Sequence, residues 1–181
     1  MGIVLHELGH GLTGKALGAF GTTITLWAFG GLCSSTRDQL PRRELMIVAA
    51  GPAVSFILAG IGYGGYELVL QNHPEWLGTR GDRTLLFQFL VATYEVNWLM
   101  GLFNILPIYP LDGGQIVYNL VLGVTGRQLV ARQISLTLAV FGAFAYVAYV
   151  VHQSNNQVDQ SIIYVIMLMG YLVYNAFRYL R

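Results

Sequence analysis

Cysteine and charge are the two things this sequence has little of. One cysteine, Cys33, in 181 residues leaves no internal disulfide and no metal site made of several thiolates. Any metal would have to be held by His, Asp or Glu. Asp, Glu, Lys and Arg make up 10% of the chain, against about 25% in an average soluble domain, which excludes an ordinary soluble globule. Ten basic and nine acidic residues give a net charge of +1. With no basic tract and no global field, nucleic acid is not an expected partner. What the chain does have is 55% hydrophobic residues, 22 glycines and 13% aromatics. Small residues let helices approach closely in lipid and aromatics gather at its interfaces, so a multi-pass membrane protein is indicated, with the lipid bilayer as its surroundings.

Crossing about 30 Å of hydrocarbon takes about 20 mostly apolar residues in a helix. Four runs are long enough: Leu45 to Leu70, Thr84 to Leu106, Gln128 to Val151 and Ser161 to Leu180. A shorter apolar piece, Ile116 to Val124, reads as a partly inserted helix. Met1 to Ala19 has helical character but carries His6, Glu7 and His10 almost at its start, so it reads as a fifth spanning helix truncated at its N-terminus, with Met1 not necessarily the true start. Thr22 to Cys33 is rich in β-branched, aromatic and Gly residues, with Gly30-Gly31 as a turn signal. It reads as a small β-hairpin or re-entrant strand pair. The expected fold is therefore all-α and multi-pass, about five spans plus these two smaller pieces. Residues 1–181 are expected to form one membrane-embedded domain, with a core over about 1–125 and two C-terminal helices at 128–151 and 161–180. Lys15, Arg37, Arg42, Arg43, Arg127, Arg132, Arg178 and Arg181 fall on one side of this topology and only Arg80 and Arg83 on the other. The first side should be cytoplasmic, which places the Asp112 region there.

His6-Glu7-Leu8-Gly9-His10 fits the pattern H-E-x-x-H. On a helix it sets two imidazoles at i and i+4 on one face, able to grip one zinc ion, with Glu7 beside them as a base. Such concentrated polarity in an apolar helix is costly and a metal site would account for it, although interhelical hydrogen bonds of uncharged histidines are the plainer alternative. A catalytic zinc takes three protein ligands and a water, so one ligand is missing. In the run Asn104 to Gly114 two prolines end a helix and two glycines open a tight turn, which presents Asp112 at a helix break. Asp-Gly is also an ordinary turn, but beside an incomplete zinc site this carboxylate is the natural third ligand.

With both motifs present in order, the sequence resembles the site-2 protease family of intramembrane zinc metalloproteases, the M50 class, in a compact form without PDZ or CBS domains. The second signature of that family, N-x-x-P-x-x-x-L-D-G, is matched by Asn104, Pro107, Leu111, Asp112 and Gly113. The likeness extends through Gly51-Pro52 and Gly30-Gly31, over about Met1 to Leu120. It departs at Gln115, where the family often has a basic residue. The resemblance implies one zinc per chain, held by His6, His10 and Asp112, and Glu7 as the group that takes a proton from the zinc-bound water and passes it to the leaving amine. It also implies that Asn104 touches substrate, though a plain interhelical hydrogen bond would use the same side chain. An edge of the Thr22 to Cys33 strands is a candidate to hold unwound substrate by strand addition.

The function so implied is zinc-dependent hydrolysis of a peptide bond in a single-span membrane protein, as in regulated intramembrane proteolysis. The site would lie in the cell membrane and open toward the cytoplasm, with a separate regulatory subunit as a possible partner. Two other readings compete. One is a non-catalytic scaffold that binds transmembrane helices, and the other a small transporter whose His and Asp carry metal ions or protons. Metal content separates the first from a protease, and flux in sealed vesicles tests the second.

Overall fold

The computed structural model describes residues 2–27, 30–36, 40–79, 82–154 and 160–180. It is mostly helical. Among the described residues six α-helices follow one another as α1 (Gly2–Ala16), α2 (Pro41–Asn72), α3 (Leu85–Asn104), α4 (Asp112–Thr125), α5 (Gln128–Gln153) and α6 (Gln160–Leu180). Strands β1 (Phe20–Trp27) and β2 (Gly30–Thr36) pair antiparallel between α1 and α2. Gly30 and Gly31 lie inside β2, opposite Trp27 and Leu26, so they open the second strand and do not form the turn.

Four helices, α2, α3, α5 and α6, are long and apolar enough to cross a membrane. These are the four full-length spans expected among the described residues, and the helix expected to be truncated at its N-terminus is α1. At 1.5 Å per residue the 15 residues of α1 cover about 22 Å, less than a hydrocarbon core. The short piece expected at Ile116 to Val124 is α4, which starts earlier, at Asp112.

The chain forms two compact units. The first takes in Met1–Asp38 and Ala50–Phe103, the second Gln39–Ala49 and Asn104–Arg181. In the first unit α1 packs on both strands of the β1–β2 pair. Glycines let the backbones of this unit meet. A Cβ on Gly9 would stand 2.9 Å from the Ala50 carbonyl oxygen, one on Gly62 would stand 2.6 Å from the Tyr94 nitrogen, and one on Gly101 would press on the Phe56 ring. Pro52 sits inside α2, where it cannot donate to the helix ladder. Thr84 starts α3 as an N-cap, its Oγ1 accepting from the Phe87 N–H at 3.3 Å.

In the second unit α5 packs on both α4 and α6. Its buried residues Ala131, Ser135, Ala139 and Ala143 recur every fourth position and make one smooth face. α6 buries Ile162, Met169, Leu172, Asn175, Ala176 and Leu180. α4 ends at Gly126, whose left-handed φ of 64° turns its N–H back to the Leu122 carbonyl. Ile108, with no exposed surface, lies against Gly142 of α5 and anchors the loop ahead of α4.

Candidate metal centre

Helix α1 turns His6, Glu7 and His10 inward. It buries His6, Glu7, Gly9, His10, Gly11 and Gly14, while Ile3, Val4, Leu8 and Leu12 are exposed. A helix in water would do the reverse, and lipid is the solvent that tolerates this arrangement. His6 and His10 are one turn apart and project from one face. Their Nε2 atoms approach to 3.2 Å, with the rings edge to face and centroids 4.9 Å apart.

The floor beneath the two rings is α2. A Cβ on Gly51 would collide with Nε2 of His10 and stand 2.8 Å from Nε2 of His6, so only glycine leaves room for the imidazole pair. One turn further on, the Oγ of Ser55 lies 2.9 Å from Nδ1 of His6. Ser55 has no exposed surface and His6 only 3%. Glu7 is buried on the same turn of α1. The residues fit a zinc ion, because two imidazoles converge their ring nitrogens over a glycine cradle and nitrogen is a preferred zinc donor.

In the second unit the loop at 105–111 folds tightly onto the first turn of α4, and the motif glycines allow it. A Cβ on Gly113 would strike the carbonyl oxygens of Ile105 and Leu106, and one on Gly114 the backbone of Tyr109. The Leu111 N–H donates to the Ile108 carbonyl at 2.9 Å, and Gln115 Nε2 donates to the Pro110 carbonyl at 2.9 Å. Asp112 is thereby fixed as the first residue of α4, and it is buried. The partial positive charge of a helix N-terminus favours a carboxylate there. The Tyr109 phenol is held above its ordinary range, first by burial and then by Tyr118 and Tyr179, so it stays neutral. Asn104, the last residue of α3, is half-buried at the other end of this loop.

Of the five residues singled out in the sequence, His6, Glu7 and His10 share one buried turn of the first unit. Asn104 and Asp112 flank one loop of the second. Sequence reasoning missed Ser55 and the clamp formed by Gln115, which stands where the resembled family often has a basic residue. A polar residue one turn after Gly51 in an apolar run was the available signal for Ser55.

The sequence profile of peptidase family M50 matches residues 74–149. Zinc metalloprotease MJ0392 of Methanocaldococcus jannaschii is 34% identical over 116 residues, 64% of this chain and 30% of that protein. Two proteins provisionally named zinc metalloproteases are also similar. They are sll0528 of Synechocystis sp., 34% identical over 70% of this chain and 31% of its own length, and Rip3 of Mycobacterium tuberculosis, 31% identical over 81% of this chain and 37% of its own. The chain thus spans about a third of the length of these relatives.

Proposed function

We propose that this chain belongs to peptidase family M50, whose profile matches residues 74–149, and is a zinc-dependent endopeptidase that hydrolyses a peptide bond of a membrane-spanning protein. The observation that carries the reading is the buried imidazole pair, with Glu7 on the same turn and Gly51 leaving its space. His6 and His10 hold the metal, and Asp112 supplies the third ligand. Zinc in such a set supplies Lewis acidity and brings the pKa of a water down to about 7.

The other roles belong to the chain's own side chains. Glu7 accepts a proton from the attacking water and returns it to the leaving amine, a general acid–base task for a carboxylate shielded from bulk solvent. Asn104 offers an amide to the substrate backbone, which must leave its own helical hydrogen bonds before attack. The site lies in the cell membrane and opens toward the cytoplasm, the side that collects most of the basic residues. Its substrate is a single-span protein cut in regulated intramembrane proteolysis, under a separate regulatory subunit, and the chain works as one peptidase domain.

The test is zinc stoichiometry of the detergent-purified chain by elemental mass spectrometry, beside Asp112→Ala and Glu7→Gln. About one zinc per chain is expected, lost or much weakened in Asp112→Ala and retained in Glu7→Gln. With a single-span substrate, Glu7→Gln should lower turnover by about 10²- to 10⁴-fold. Absence of zinc from the parent chain would overturn the reading in favour of a helix-binding scaffold.

A further inference from the structure

We propose that Ser55 is a positioning residue for His6, fixing its ring as the tautomer that carries hydrogen on Nδ1 and leaves Nε2 unprotonated. The inference deepens the zinc reading and rests on it for its consequence, but its geometry stands alone. Nδ1 of His6 has the Ser55 Oγ at 2.9 Å, and Nε2 of the same ring faces Nε2 of His10 at 3.2 Å. The two nitrogens of one ring are thus turned to different tasks.

An imidazole can offer Nε2 to a cation only when Nε2 is unprotonated, and in the neutral ring the hydrogen then sits on Nδ1. A hydrogen on Nδ1, buried in an apolar helix pair, needs an acceptor. The Ser55 hydroxyl oxygen is that acceptor, and with no exposed surface it has no water competing for it. Its position follows from α2. Gly51 and Ser55 are one turn apart, so the helix face that leaves space for the rings is the face that delivers the hydroxyl. A ring already held in the binding tautomer and orientation has less to reorganise when the ion arrives, which is how groups behind a ligand raise metal affinity.

The experiment compares the parent chain in detergent with Ser55→Ala and Ser55→Thr, reading zinc affinity by competition with a chromogenic chelator. It also reads the tautomer by ¹⁵N NMR of the metal-free chain labelled at histidine, the His6 signals being assigned with His6→Ala. Ser55→Ala should weaken zinc binding by about 10- to 100-fold and move hydrogen from Nδ1 to Nε2 of His6. Ser55→Thr, which keeps the hydroxyl, should restore both. An unchanged His6 tautomer in Ser55→Ala overturns the inference, even if affinity falls. A parent chain that binds no zinc overturns the protease reading instead, and the tautomer of metal-free His6 still decides the role of Ser55.

Discussion

Where α1 meets α2, glycines stand at the points of closest approach, Gly9 against Ala50 and Val54, and Gly51 against the two histidine rings. On α5 the buried residues are Ala131, Ala139 and Ala143, set on one face with Ser135 among them. Both arrangements remove side-chain bulk so that helices can pack in lipid. They differ in what fills the space. Around α1 it holds His6, Glu7, His10 and Ser55, all buried and polar, whereas α5 and α6 bury mainly alanine and larger apolar groups such as Ile162, Met169 and Leu172. Small residues at a helix contact therefore do not by themselves mark a site. The marker is a small residue whose missing side chain makes room for ionisable ones.

The difference is broken most severely at Gly51. In Gly51→Ala the added methyl would collide with His10 Nε2, and one of the rings must swing away. Zinc affinity should fall by at least about tenfold, the lower end of what disturbing a ligand's support costs. The melting temperature of the metal-free chain should change less than its metal content. Full zinc occupancy in Gly51→Ala, read by elemental mass spectrometry, would show that the imidazoles have slack that the structure does not show.

An equally crude insertion in the second region should do the opposite. Ala139 has no exposed surface, and Ala139→Leu forces three more carbons into a filled contact. Overpacking of this kind costs about 1–3 kcal/mol. Thermal unfolding in detergent should show that loss, while zinc affinity at temperatures where the chain is folded stays at the parent value. A fall in affinity without a fall in stability would erase the distinction between the two helix pairs.

How far this division was legible in the sequence depends on the range of the interaction concerned. The four long apolar runs became α2, α3, α5 and α6 with ends displaced by a few residues, because burial in lipid is a property of composition and length. The pairing of His6 with His10 was legible too, since i and i+4 on one helix is local geometry. Ser55 was not, for it meets His6 across 49 positions of sequence and no periodicity links them. Gln115 looked like a departure from a pattern and is a clamp on Pro110, which only the folded loop reveals. Gly30-Gly31 resembled a turn because glycine is the commonest turn residue, yet both pair in β2. Propensity ranks conformations one residue at a time, and cross-strand pairing overrode it.

The smallest expected effect sharpens the comparison most, because its sign is at stake. Ser55 and Ser135 are both serines in apolar helices with almost no exposed surface. The first has the His6 ring within hydrogen-bonding distance, and the second has no hydrogen-bond partner for its Oγ among the described residues. Removing a hydroxyl that is bonded leaves a buried partner unsatisfied, whereas removing one that is not bonded takes away a polar atom whose burial was already unfavourable. Ser135→Ala should therefore leave stability unchanged or raise it by up to about 1 kcal/mol, with no effect on zinc. Ser55→Ala and Ser135→Ala compared by thermal unfolding and zinc affinity would separate a serine that serves a ring from one that only fills space. A marked loss of stability in Ser135→Ala would mean that α5 too carries a working polar contact, and the two regions would then differ in degree and not in kind.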